Sequence, residues 1–186
     1  MAYLILGLIL WIGSHLFKRL MPEARARMGN AGKGLVTGLS FAALGLMIWG
    51  YRSAEFIDVW TPPSWTVHLN NLLMLVAVFF LALSHSKGRL RARFRHPMLG
   101  SVKIWAVAHL LVNGDLASVV LFGGLGLWAV MQIVLIDRDP WVRPDPAAGR
   151  GLKGDLMNLV GTLVLYGLIA GVHIWLGHNP FLGTYA

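Results

Sequence analysis

The 186-residue chain contains no cysteine, only two glutamates and few charged residues of any kind. Without cysteine it can form no disulfide, thiolate zinc site, iron–sulfur cluster or cysteine nucleophile. Both glutamates, Glu23 and Glu55, lie in predicted loops. A di-iron site of the ferritin type is therefore excluded, because it needs several glutamates inside a helix bundle. Charged residues make up 13% of the chain, about half the roughly 25% of a soluble domain, so the composition argues against a soluble protein.

The sequence instead contains long apolar segments. Hydrophobic residues make up 56% of the sequence, and a helix that spans a bilayer needs roughly 20 mostly apolar residues. We predict an all-α, polytopic membrane helix bundle with six transmembrane helices, forming a single domain over residues 1–186. The predicted helices are Ala2–Phe17, Leu35–Tyr51, Val67–Ser84, Met98–Val112, Leu116–Ile136 and Leu156–Gly177.

The basic residues orient these helices. Lysines and arginines lie in the loops after the first, third and fifth helices or at the start of the fourth, and Arg52 is the one exception. The positive-inside rule then makes these loops cytoplasmic and both termini periplasmic. The net charge of +8 therefore indicates contact with membrane lipid headgroups rather than with nucleic acid. The oligomeric state does not follow from the sequence.

Three of the seven histidines lie inside predicted helices: His15, His109 and His173. An ionisable side chain within a bilayer is costly and tends to have a function. Two imidazoles on different helices, with no carboxylate near them, suit haem b, which takes axial histidines in an apolar slot between helices. Zinc is disfavoured because it needs three or four ligands.

A long motif runs through the predicted fourth helix. It is Arg95-His-Pro-Met-Leu-Gly-Ser-Val-Lys-Ile-Trp-Ala-Val-Ala-His-Leu-Leu-Val-Asn-Gly-Asp115, and it resembles the signature of the NnrU family. The resemblance continues into the next helix and covers most of the chain. Members of that family are bacterial inner-membrane proteins associated with denitrification, specifically with nitrite and nitric oxide reduction. The resemblance thus implies a multi-pass protein of the inner membrane, with proteins of nitrogen-oxide respiration as partners.

The NnrU family is similar in fold and motif to the plant enzyme zeta-carotene isomerase, a haem b membrane protein that isomerises a cis double bond. Its two histidine ligands match His15 and His109 of this sequence. The resemblance therefore implies haem b held by these two residues, with redox or isomerase-like chemistry. The plant enzyme's alternative cysteine ligand matches Ala106, so ligand switching of that kind is not expected here.

The depths of the histidines leave the second ligand open. His15 lies close to Lys18 at the cytoplasmic end, and His109 lies close to Asn113 at the outer end. At 1.5 Å per residue their depths differ by roughly 10 Å, whereas one haem needs both imidazoles near one level. His173, in the outer half of the sixth helix, matches His109 better. We predict the pair His15 and His109, with His173 as the alternative partner of His109.

Two other functions are compatible with the sequence. One is a membrane assembly factor without cofactor, in which the histidines only bridge helices. The other is a membrane methyltransferase of the isoprenylcysteine carboxyl type, which also has an Arg-His-Pro segment before a late helix. That class uses a glutamate in its C-terminal segment, and no glutamate follows Asp137 here. An absorption spectrum separates the haem hypothesis from both.

The longest predicted loop is Asp137–Asp155, which is interrupted by Pro140, Pro144 and Pro146. Proline in the interior of a helix removes a hydrogen bond and clashes with the preceding turn, so a continuous helix is excluded. The acidic and basic residues of the loop balance. We predict that it lies at the cytoplasmic surface and contributes nothing to the cofactor site.

Overall fold

The structure is a computed structural model that describes residues 1–182. Within these residues the secondary structure is helical, with no β-strand. The helices are α1 (Ala2–Leu20), α2 (Pro22–Arg27), α3 (Gly29–Arg52), α4 (Thr66–His85), α5 (Pro97–Leu110), α6 (Leu116–Ile136) and α7 (Gly151–Trp175), with one 3-10 turn at Leu90–Arg93. The predicted all-α fold is confirmed.

Five helices of the described chain are long and apolar enough to cross a membrane, namely α1, α3, α4, α6 and α7. The protein is therefore a membrane protein, as predicted. The predicted fourth helix, Met98–Val112, is present as α5 but has only 14 residues. It is about 21 Å long and so shorter than the roughly 30 Å of bilayer hydrocarbon. Pro97 starts it, and the turn after Leu110 ends it.

Helices α3 and α7 begin well before their predicted first residues. Helix α3 begins at Gly29 rather than Leu35, and α7 begins at Gly151 rather than Leu156. The loop before α7 consequently ends at Arg150, not at Asp155. Hydropathy marks only the apolar part of a helix, and the polar first turns that lie in the headgroup region carry no such signal.

Helix α6 lies between α1 and α5 and packs against both. Its glycines allow the close approach. A Cβ on Gly124 would lie 3.0 Å from a methyl carbon of Leu8 on α1. A Cβ on Gly126 would lie 3.1 Å from the Cβ of Ala106 on α5. Gln132 also donates a hydrogen bond of 2.8 Å to the His15 carbonyl. The glycine-rich segment therefore fixes the position of α6 between its neighbours.

Helices α1 and α3 cross at two glycines. A Cβ on Gly7 would lie 2.8 Å from the backbone nitrogen of Met47, and a Cβ on Gly50 would collide with the backbone of Leu4. Leu4 is completely buried, with 0% exposure. It forms an apolar core cluster with Leu8 and Met47. Backbone-to-backbone contact at this crossing leaves no room for a larger residue.

The ends of the helices form two opposite faces, which we call the terminal face and the basic face. The terminal face contains the start of α1, residues 53–65, residues 111–115 and the end of α7. The basic face contains residues 21–28, 86–96 and 137–150. Every residue of 137–150 is exposed. Helix α4 joins the two sides of the bundle, since it packs against both α5 and α7.

Candidate functional site

A cavity of about 750 Å³ lies between α4, α5, α6 and α7 and reaches the terminal face. Most of its lining is apolar, and Trp105, Phe122 and Ile169 contribute large side chains. The cavity extends along α5 from Ser101 to beyond His109. No residue of the loop 137–150 contributes to the lining, so the loop lies away from this cavity.

Two of the three predicted histidines line this cavity, His109 from α5 and His173 from α7. The Nδ1 atom of His109 lies 2.9 Å from the carbonyl oxygen of Trp105. The Nδ1 atom of His173 lies 2.8 Å from that of Ile169. A carbonyl only accepts, so each Nδ1 carries the proton and donates. The neutral ring then has its lone pair on Nε2, which is the form that binds a metal.

Aromatic side chains hold the ring of His109. It stacks on Phe122 with ring centroids 4.6 Å apart and planes 30° from parallel. Trp105 lies 5.0 Å from the imidazole and meets Phe122 edge-on. The Asn113 side chain donates a hydrogen bond of 2.8 Å to the His109 carbonyl. Both the ring and the backbone at this position are therefore fixed by neighbours on α5, on α6 and in the turn between them.

His15 lies elsewhere, between Trp11 and Trp128. It stacks on Trp11 at 4.1 Å and meets Trp128 edge-on at 5.2 Å. Its Nδ1 donates to the Trp11 carbonyl at 2.8 Å, so its Nε2 also carries the lone pair. Both indole N–H groups are buried and have no hydrogen-bond partner among residues 1–182. His15 is not part of the cavity lining.

The contacts that His15 and His109 make with α6 show how far apart the two predicted ligands lie in depth. His109 contacts Phe122, whereas His15 contacts Trp128. These positions are about 9 Å apart along α6 at 1.5 Å per residue. The value agrees with the difference of roughly 10 Å expected from the sequence. The structure thus brings His109 together with His173 and leaves His15 at another level.

A hydrogen-bond chain at the terminal face was not predicted. Asp115 accepts from the Ser118 backbone at 2.9 Å, and its second oxygen accepts the Ser118 hydroxyl proton. Tyr51 therefore donates to the Ser118 oxygen, at 2.8 Å. Tyr51 and Asp115 both line the cavity. The sequence signal was the Asp-to-Ser spacing of a helix N-cap, but nothing in the sequence indicated Tyr51.

At the basic face, the start of the Arg95–Asp115 motif holds the end of α6. The Arg95 guanidinium donates to the carbonyls of Ile136 and Asp139, both at 2.7 Å. It also lies 3.2 Å from the Asp137 carboxylate, which His96 contacts at 2.8 Å. The hydrogen bond from His96, with the charge of Arg95, lowers the pKa of Asp137 below its ordinary value. The carboxylate therefore stays charged and paired at neutral pH.

At the terminal face, the end of the motif holds residues 53–65. The Gly114 carbonyl accepts hydrogen bonds from Val59 at 2.8 Å and Trp60 at 3.1 Å. A Cβ on Gly114 would collide with the Trp60 carbonyl, so only glycine fits. The two ends of the motif thus fix the two ends of α5, and His109 lies between them.

We expect Arg95→Ala to lower the free energy of unfolding by about 2 kcal/mol, because charge-assisted hydrogen bonds to the carbonyls of Ile136 and Asp139 are lost. The Arg95 side chain is only 19% exposed, so solvent does not fully replace them. Thermal unfolding in detergent measures the effect. Arg138→Ala, at an exposed neighbour of Asp137, is the control and should change little. Equal effects of both substitutions would contradict the proposed role of Arg95.

Within residues 1–182, no three histidine or acidic side chains lie together as a metal-binding group. A haem needs only one or two protein ligands, so His109 and His173 are enough for this cofactor. The cavity walls are mostly apolar and suit a porphyrin. Among the described lining residues there is no lysine or arginine. Asn113 and His178 are lining residues with a donor that could pair with propionate oxygens.

Comparison with known proteins identifies one family. The family model described as NnrU protein matches residues 3–180. No curated protein and no solved structure matches the chain. The matched range includes the whole Arg95–Asp115 motif and the three helix histidines. Because the match covers nearly the entire sequence, the chain belongs to the NnrU family.

Proposed function

We propose that the protein binds haem b in the large cavity, with His109 as one axial ligand. The observation that supports this is the pair His109 and His173, which line one cavity of about 750 Å³ from different helices. Both rings have the Nδ1-protonated form, and a backbone carbonyl on Nδ1 is a usual second partner of a metal-bound histidine. The volume lies within the range of roughly 300 to 1,000 Å³ for cofactor pockets.

The second axial ligand has two candidates with different support. The geometry favours His173, because it lines the same cavity as His109. The resemblance to the plant isomerase favours His15, which lies about 9 Å further along α6. On the basis of the geometry, we propose His173 as the second axial ligand. The histidine variants described in the Discussion distinguish it from His15.

We further propose that the protein serves nitrogen-oxide respiration in the bacterial inner membrane, as membership of the NnrU family suggests. A bound haem would supply an iron that changes redox state. Tyr51 and Asp115, joined through Ser118, are polar groups of the cavity wall beside the place proposed for the haem. The proposal covers redox and isomerase-like chemistry alike.

The absorption spectrum of the full chain, purified after expression with ample haem, tests the proposal. We expect a Soret band that elutes with the protein. The alternative functions, an assembly factor without cofactor or a methyltransferase, predict no such band. A colourless protein that is folded and membrane-inserted would therefore contradict the haem proposal and favour the assembly factor.

Reporter fusions test the proposed orientation. Fusions after Gly29, Arg91 and Pro146 should all report the cytoplasm, because these positions lie at the basic face, where positive charge is retained during insertion. A fusion at Glu55, on the terminal face, should report the periplasm and serves as the opposite control. A periplasmic signal at Arg91 would contradict the topology.

A further inference from the structure

A second cavity, of about 290 Å³, lies at the basic face between the end of α4 and the start of α7. It shares no lining residue with the large cavity. Lys87 and Arg150 line its mouth, and Met157 and Asn158 line it further along α7. Its position at the membrane boundary and its mixed lining set it apart from the haem proposal, on which nothing in this subsection depends.

The buried side chain of Asn158 is the first observation that points to a ligand in this cavity. Its side chain lies about 12 Å along α7 from Arg150 at 1.5 Å per residue, and the residue is only 5% exposed. Neither its amide nitrogen nor its amide oxygen has a hydrogen-bond partner among the described residues. An amide buried without partners destabilises a protein. A ligand with polar atoms in this cavity would satisfy it.

The positive charge at the mouth of the cavity indicates that such a ligand would be an anion. Lys87 and Arg150 are exposed, and no carboxylate is present among the described lining residues. The nearest acid along α7, Asp155, pairs with Arg89 at 3.6 Å and accepts from the Leu90 backbone at 3.0 Å. The mouth also lies at the N-terminus of a 25-residue helix, which favours anions.

The frame of the cavity is fixed by backbone contacts. The Arg150 backbone donates to the Lys87 carbonyl at 2.7 Å, and Gly88 donates to the Ser86 hydroxyl at 3.0 Å. A Cβ on Gly154 would lie 2.6 Å from the Gly88 nitrogen, so the loop packs directly on the first turn of α7. The two basic residues are thus attached to one rigid frame.

We propose that this cavity binds a phosphate-bearing anion, held by Lys87 and Arg150 at the mouth and by the Asn158 amide deeper in. An anionic lipid headgroup is one source of such a group, and free phosphate is the other. For a lipid, the amide hydrogen-bonds to a phosphate or ester oxygen, and Met157 and Gly161 lie on the side of the acyl chains.

Binding to the purified full chain in detergent tests the proposal, with native mass spectrometry and thermal unfolding as readouts. The probes are phosphatidylglycerol, phosphatidylcholine and inorganic phosphate. We expect phosphatidylglycerol to bind and to raise the unfolding temperature, and phosphatidylcholine to do neither. Stabilisation by inorganic phosphate at the same site would identify free phosphate as the source. Equal binding of both lipids, with no effect of phosphate, would overturn the proposal.

Variants that remove a positive charge test whether Lys87 and Arg150 form the binding site. Lys87→Gln and Arg150→Gln should each weaken phosphatidylglycerol binding about fivefold, and together roughly 25-fold, from the attraction of one basic residue at a membrane surface. Arg138→Gln with Lys153→Gln removes two exposed charges outside the lining, one on the basic face and one in the first turn of α7. This control pair should retain binding. An equal loss in both pairs would show nonspecific attraction and overturn the proposal.

Asn158→Leu separates a binding role from a structural one. Removing an unpartnered amide should maintain or raise the unfolding temperature of the lipid-free protein, while phosphatidylglycerol binding falls several-fold. Asn158→Ala serves the same purpose if the larger side chain prevents folding. Unchanged affinity in both Asn158 variants and in the Lys87–Arg150 pair would overturn the site.

Discussion

The His109→Ala variant should lose its Soret band, or show it strongly shifted, while it still inserts into the membrane. If His109 is an axial ligand, its removal leaves the iron under-coordinated. If it only bridges helices, its loss costs about 0.6 to 2 kcal/mol of stability in a membrane and leaves the spectrum unchanged. The imidazole is held by Phe122 and by the Trp105 carbonyl, so the alanine substitution removes a ring whose position is fixed.

Three further histidine variants complete the test. His173→Ala should reproduce the spectral change if the geometry selects the second ligand, and His15→Ala should do so if the family resemblance does. His68→Ala is the matched control, because His68 is exposed at the start of α4 and lies outside the cavity lining. A Soret band unaffected by His109→Ala would contradict the residue assignment.

The Gly50→Val variant should be strongly destabilised, by about 3 kcal/mol, which is at the upper end of the usual cost of overpacking. Gly50 packs against the backbone of Leu4 at the crossing of α1 and α3, so its neighbour is main chain and not a side chain that can rotate away. The change should lower the thermal midpoint in detergent and the yield of inserted protein. Thermal unfolding followed by circular dichroism measures it.

Gly45→Val is the matched control on the same helix. A Cβ at Gly45 would have no neighbour within 4 Å, and the residue is exposed on α3, so the added methyl groups face lipid. The control should stay within about 0.5 kcal/mol of the original protein, as surface substitutions usually do. Equal destabilisation by Gly45→Val and Gly50→Val would show that helix propensity, not the crossing, is responsible.

The membrane helices could be predicted from the sequence because their signal is local. An apolar segment of bilayer length can satisfy its backbone only as a helix, and so α1, α3, α4, α6 and α7 were all expected. The length of α5 was less predictable. Met98–Val112 is continuous in hydropathy, but Asn113 caps the His109 carbonyl and Gly114 pairs with residues 59 and 60. Those contacts come from a distant segment of the chain.

The candidate site was predictable in part. Its histidines stand out because ionisable groups are rare in membrane helices, and residue counting alone separated His15 from His109 in depth. Tyr51 and Asn158 were not identified, because their importance depends on what the rotation of each helix places beside them. Tyr51 contacts Ser118, which is far away in sequence, and Asn158 is notable only because its packed surroundings contain no partner.

The haem content of the purified protein shows whether the large cavity holds the proposed cofactor. Extraction as the pyridine complex identifies the haem type and, with the protein concentration, gives the number of haems per chain. We expect about one haem b per chain in the original protein and in His68→Ala, and much less in His109→Ala. Folded, inserted protein that contains no haem after expression with ample haem would contradict this expectation.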